Sequence, residues 1–464
     1  MAAIGLRVPA VPPAATTMAA VLAAFGSALL LERLAHLGVD IGIQAVVLSI
    51  TLARTQRDAT PTDQIIGFAV FPAVAFAAIG LGTLMSGRPI EGDAAFVLLV
   101  TAAIWIRRFG PRFARAGTLA MLPPIALLVT PHTPTSGNVL WAPVVALIAW
   151  FWVTAFQLLV DVPASASAGR SRASNRMAAQ MAVALAGAFA AGHLLFPDHW
   201  SWVVLTAFIV CNGARGQGDA LHKSVLRALG ATGGTLLATL AAGTFAPGNR
   251  GSIALIFAVL GVAVWLRPRN YAYWAGGVTA ALSLLYGYFG QAAMPLLWTR
   301  MEAILAGAVI GVASAWFVLP FRTGDVQRRR TVEVLANLTD VLKGAPDALT
   351  RFELSVAELD KLYPPLKMHR TLTRQNRHPA DVIDLLRGIA IHVHALGPDT
   401  GALRVNVAAA RRAIARRTDG APYRSLDCED VPTRAVDEAL AAIHDIYAPP
   451  TRAQESPDST PPHA

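Results

Sequence analysis

The chain has 464 residues, of which 54% are hydrophobic and only 15% charged, and its formal net charge is +10. Soluble domains carry about 25% charged residues, so the deficit excludes an ordinary soluble domain and points to the bilayer. Two cysteines, Cys211 and Cys428, lie in different regions; they exclude a disulfide framework, and no Cys/His cluster has zinc spacing.

Residues 1–16 carry one charge, Arg7, and three prolines. The apolar run 17–31 has the look of a signal peptide, but a matching segment recurs at 177–196, where no signal peptide can sit. Apolar segments then follow at 17–35, 41–53, 64–85, 93–106, 113–130 and 138–160. A Ser/Ala/Arg linker spans 161–176. The second series is 177–196, 200–212, 224–245, 251–266, 270–289 and 298–319.

The two series align at a constant offset of about 160 residues, the signature of an internal repeat. Ile104-Trp105-Ile106-Arg107 falls on Val264-Trp265-Leu266-Arg267, and Gly117 on Gly277. Each half has an even number of segments, so the halves point the same way, as parallel repeats about an axis along the membrane normal. The expected fold is all-α: a polytopic membrane protein with repeats at 1–160 and 177–320, about twelve spans in all, plus a C-terminal helical domain.

Arginine sets the orientation. With the N-terminus in the cytoplasm, Arg54, Arg57, Arg107, Arg108, Arg112, Arg115, Arg170, Arg172, Arg176, Arg215, Lys223, Arg227, Arg267 and Arg269 gather on the cytoplasmic side. Only Arg33, Arg88, Arg250 and Arg300 fall outside. This is the positive-inside pattern, and it places both termini in the cytoplasm. The basic residues sit in loops between apolar runs, which argues against a nucleic-acid partner. Trp141, Trp150, Trp152, Trp200, Trp202 and Trp298 lie near segment ends, where interfacial anchoring is the default role.

The tail changes composition. Residues 321–447 are charged, with helical apolar spacing at Val334, Leu338, Val341 and Leu342 and again at Val382, Leu385, Leu386 and Ile389. Residues 402–416 and 435–447 also read as helices, while Pro364-Pro365 and 377–379 interrupt the pattern. Residues 448–464 are rich in Pro, Ser and Thr and read as disordered. The tail holds no paired acid/base or metal set, so an enzyme and a cofactor are not expected; assembly or regulation is its expected role.

The short segments 41–53 and 200–212 stand at equivalent positions. Thirteen helical residues rise about 20 Å, against a hydrocarbon core of about 30 Å. Paired short segments mark transport sites; the alternative is that polar flanks extend both into ordinary spans. Arg227 is read as opening a helix, followed by Gly230, Gly233 and Gly234. It either snorkels to the headgroups beside a glycine packing seam or grips a carboxylate through two parallel hydrogen bonds. Glu32, Arg33, Asp40, Arg300 and Glu302 lie at outer segment ends and read as solvated; Glu302 is the deepest and is the proton-carrying candidate. His193 and Cys211 read as structural, and Tyr286, Tyr288 and Phe289 as ring-stacking or interfacial residues.

Pro197 and Trp200 open the short segment, Thr206 lies within it, and Arg227-x-x-Gly230-x-x-x-Gly234 follows. In this order the parts resemble the core of the fusaric acid resistance-like (FUSC) family of bacterial inner-membrane proteins, related to aromatic acid exporters. That family usually has Thr after the first glycine; here Ala231 stands there and Thr232 one place later. The resemblance covers residues 15–320 and is most specific in the second half.

The resemblance implies an efflux transporter for small organic, chiefly aromatic, acids; proton exchange is the expected drive because the sequence offers no nucleotide site for ATP hydrolysis, and the anion is expected between the two halves. The expected substrate-binding residues are Arg227, Thr206, Trp200, Gly230, Gly234 and Tyr286. An anion channel akin to plant malate channels and a non-transporting membrane scaffold are the alternatives. The expected partners are the organic acid and the lipid bilayer. Self-association is left open, as is the periplasmic adaptor that such relatives often use.

Overall fold

The structure is a computed structural model. It describes residues 13–38, 40–56, 61–129, 141–159, 175–214, 216–241, 246–290, 294–319, 323–373, 378–397, 400–417 and 421–448. Most of the linker expected at 161–176, the loop at 131–137 and the stretch from 449 onward lie outside the described residues. All regular structure among the described residues is helical. The chain divides into two compact units, Met1–Pro320 and Phe321–Ala464.

In the first unit the leading helices are α1 (Pro13–Ala35), α2 (Asp40–Thr55), α3 (Pro61–Gly87), α4 (Pro89–Ile106), α5 (Pro111–Ala120), α6 (Leu122–Leu127) and α7 (Ala142–Leu159). The remainder are α8 (Asn175–Leu195), α9 (Trp200–Cys211), α10 (Gln217–Ala241), α11 (Arg250–Leu266), α12 (Tyr271–Tyr288) and α13 (Met294–Phe317). Six helices among the described residues are long and apolar enough to cross a membrane: α1, α3, α4, α7, α8 and α13. Large apolar side chains such as Leu236, Leu240, Val309 and Phe317 point outward, the arrangement a bilayer stabilises.

The fifth segment of the first series, expected whole at 113–130, is broken at Met121 into α5 and α6. Pro123 and Pro124 lack the N–H groups that would continue the ladder. The corresponding α12 carries Ser283 and Leu284 and runs unbroken. The fourth and fifth helices approach closely in both series. A Cβ on Gly117 would lie 2.1 Å from the Ala103 carbonyl oxygen, and one on Gly277 2.3 Å from the Ala263 Cβ. Packing partners also correspond: α1 rests on α2 and α7, α8 on α9 and α13; α3 rests on α7, α10 on α13.

Between the two series, α4 packs on α8 and α1 on α11. These joins are apolar in their middle. Phe96 meets Phe189 edge-on at 5.5 Å and Phe25 meets Phe257 at 4.9 Å, with Val100, Met181, Leu185, Val21 and Leu260 around them. Polar contacts flank the α4–α8 join: His193 Nε2 lies 2.7 Å from Asp93 Oδ2, and Arg108 donates to Asn175 Oδ1 at 2.6 Å at the opposite end. Apolar packing fills these joins; buried polar side chains lie within both series, among them Gln56, Arg115 and Thr154 in the first and Thr206, Arg227, Thr279 and Arg300 in the second.

The second unit comprises α14 (Thr323–Leu342), α15 (Ala348–Asp360), α16 (Tyr363–Thr373), α17 (Pro379–His392), α18 (Gly401–Ile414) and α19 (Val431–Tyr447). It has its own core, built from Leu335, Leu338, Phe352, Ile383, Leu386, Val407 and Leu440. The prolines mark helix starts: Pro364 and Pro365 lie in the first turn of α16, and Pro379 opens α17. There the missing N–H groups have no intrahelical partner to lose. His378 caps α17 in a capping box with Asp381. Asp437 on α19 accepts from Asn406 Nδ2 and the Tyr423 hydroxyl at 2.7 Å each and from the Leu426 backbone N–H at 2.8 Å. That network ties residues 421–426 to α18 and α19.

Candidate functional site

Helix α9 is short and buried along nearly its whole length, from Trp202 to Val210. It does not extend into its polar flank. Asn212 turns to extended backbone (ψ 115°) and Gly213 takes φ +67°, a value that favours glycine. Twelve residues rise only about 18 Å. Such a helix is tolerated at membrane depth because protein, not lipid, surrounds it.

Two glycine seams draw helices together around α9. A Cβ on Gly307 of α13 would lie 2.4 Å from the Val203 carbonyl oxygen and 2.9 Å from the Thr206 Cβ. One on Gly311 would lie 2.9 Å from Val210 Cγ1, and the Cys211 thiol donates to the Gly311 carbonyl at 3.5 Å. On the other seam a Cβ on Gly230 would lie 2.4 Å from the Ala272 carbonyl oxygen, and one on Gly234 2.1 Å from that of Gly276. Gly230 and Gly234, expected at the substrate, instead join α10 to α12. Small side chains permit that backbone approach.

Arg227 does not open its helix. Helix α10 begins at Gln217, so Arg227 sits ten residues in, about 15 Å along the axis. It is 3% exposed, which excludes snorkelling. The early start has a local cause: Asp219 in the first turn complements the helix dipole and pairs with Lys223 one turn on at 3.2 Å.

Arg300, expected at a solvated outer end, is 2% exposed. Its guanidinium stands 5.1 Å from the centre of the Trp202 ring and donates to Ser283 Oγ at 3.2 Å. Tyr286 meets Trp202 edge-on at 5.7 Å. Arg227 and Arg300 lie within electrostatic reach of each other. The Nε atoms of both, and the hydroxyls of Thr206 and Thr279, are buried without a hydrogen-bond partner. Thr206 lies one turn below Trp202 on α9, as Thr279 does below Ser283 on α12, so each pair shares a helix face.

The structure thus brings together Arg227, Thr206 and Tyr286 from the expected set, and adds Arg300, Trp202, Ser283 and Thr279. It separates the others. Trp200 packs on His193 and Phe189, at 5.2 and 5.5 Å. Glu302 is exposed; it follows Arg300 by two residues, about 200° of helical rotation, and therefore points away from the buried group. The i, i+4 spacing of Trp202 and Thr206 was a readable signal for the missed tryptophan. Nothing local marked the burial of Arg300. At the offset that pairs Gly117 with Gly277, the positions of Trp202, Thr206, Arg227, Thr279, Ser283 and Tyr286 are Gly42, Val46, Gly67, Leu119, Pro123 and Ala126 in the first series. The polar group is not duplicated.

Energetics show what the arrangement can hold. Burying a cation costs several kcal/mol even after relaxation. A desolvated cation–π contact returns about 2 kcal/mol and one charge-assisted hydrogen bond about 1.5–3 kcal/mol. Those offset part of the cost for Arg300 and none for Arg227. Carboxylates are the chemical class that supplies acceptors to such buried guanidiniums.

Residues 181–314 match the family described as fusaric acid resistance protein-like, and that span contains every residue of the buried group. No curated protein and no solved structure matches the chain. The match and the apolar helices together mark a multi-pass membrane protein of a transport or resistance type.

Proposed function

Taking the fusaric acid resistance protein-like segment at 181–314 as premise, we propose that this chain is a bacterial inner-membrane efflux transporter for small organic acids, aromatic ones foremost. One observation carries the reading: Arg300 is buried against the Trp202 ring, Arg227 is buried within its electrostatic reach, and no carboxylate is bonded to either among the described residues. The guanidiniums attract the anion and the rings accept its flat face. The helices form two like-oriented six-segment halves with cytoplasmic termini, a reading supported by the corresponding helix contacts and the arginine distribution. The anion sits within the second half rather than between halves, and an opposing proton gradient drives its exit.

The test uses inverted membrane vesicles bearing the full chain. Acidifying the interior should drive uptake of labelled hydroxybenzoate, and Arg227→Gln should abolish it. A strain lacking the chain should lose tolerance to fusaric and hydroxybenzoic acids. No uptake and unchanged tolerance would remove the proposal; uptake indifferent to the pH gradient would make the protein a channel.

A further inference from the structure

The second series contains only three acidic residues, Asp198, Asp219 and Glu302. None serves the buried arginines. Asp219 pairs with Lys223 at 3.2 Å, Asp198 is exposed in the turn before α9, and Glu302 is exposed on α13. In the first series Asp93 is taken by His193 at 2.7 Å, and no first-series carboxylate among the described residues bonds to either arginine. The buried group therefore carries two positive charges and no negative one among the described residues.

That count has a chemical consequence. A monocarboxylate between Arg227 and Arg300 leaves one buried charge uncompensated. Such a residue is costly where water is scarce. We infer that the preferred cargo of this site is a dianion, an aromatic dicarboxylate, with one carboxylate on Arg300 and the other on Arg227. This rests on the transport reading above and narrows its substrate class.

Two features favour an organic dianion over a compact inorganic one. The cations arise from different helices, α13 and α10, and no side chain among the described residues hydrogen-bonds to both. Arg300 lies over the Trp202 ring, which Tyr286 in turn meets edge-on, so an aromatic surface adjoins the cation. The hydroxyls of Thr206 and Thr279, buried and without partners, donate to oxygens of the bound carboxylates.

Equilibrium binding of labelled terephthalate, benzoate and sulfate to the purified full chain in lipid nanodiscs at pH 7.5 tests this. Terephthalate should bind at least about tenfold more tightly than benzoate, the factor expected from one added charge-assisted hydrogen bond. Arg300→Gln should bring the two to within about threefold. If that variant does not fold, the wild type decides: lowering the pH through the second carboxyl's pKa should weaken terephthalate toward benzoate. Benzoate binding as tightly as terephthalate would overturn the dianion and leave acid transport standing. Sulfate competing equally would overturn the aromatic dicarboxylate. Binding of neither acid would overturn both this inference and the transport reading.

Discussion

The Arg300 guanidinium lies over the Trp202 ring, 5.1 Å from its centre, and joins α13 to α9 at the end where α9 begins. A desolvated cation–π contact is worth about 2 kcal/mol. Trp202→Leu should therefore weaken acid binding about tenfold or more, while Trp202→Phe should retain part of it. Trp200→Phe, on the neighbouring face against His193, should leave affinity within about twofold. Direct binding measurements on the three variants check the assignment of the ring.

Glu302 faces away from Arg300 on the same helix. Glu302→Gln should leave pH-driven uptake within about twofold of wild type. A loss of proton coupling in this variant would restore Glu302 to the transport path and would require α13 to rotate during the cycle.

The glycines of α10 offer a matched pair of tests. Gly234→Ala places a methyl group 2.1 Å from the Gly276 carbonyl oxygen, a clash between backbones that no side-chain rotation relieves. Overpacking of this kind costs about 1–3 kcal/mol or more. Gly233 has nothing within 4 Å, so Gly233→Ala should be neutral or stabilising by up to about 1 kcal/mol. Thermal unfolding in detergent should separate the two clearly.

In the second unit, the Tyr423 hydroxyl donates to Asp437 Oδ1 at 2.7 Å. Burial first, and the adjacent Asp437 carboxylate next, push the Tyr423 phenol well above its ordinary value of about 10. A raised folded-state value means stability is fully present below pH ~10 and is lost as the pH climbs toward the folded value. Hydrogen exchange of residues 421–447 in the full chain should quicken above pH ~10. Tyr423→Phe should remove the tyrosine's share of that slope and cost about 1.5–3 kcal/mol at neutral pH through the lost bond to a charged acceptor.

Local composition was enough to read the apolar runs, the short α9, the offset between Gly117 and Gly277, and the helices around Val334 and Leu386. Each depends on periodicity or residue type along one stretch of chain. The buried arginines were not legible that way. Whether Arg300 or Glu302 faces inward depends on the rotation of α13, and that rotation is set by Gly307 and Gly311 meeting α9 from another part of the chain. Likewise Trp202 rather than Trp200 reaches the guanidinium because α9 presents the Trp202–Thr206 face to α13 while Trp200 is held by His193 and Phe189. Charge placement across helices is a property of their packing, so only the tertiary structure decided which charged side chains are buried together.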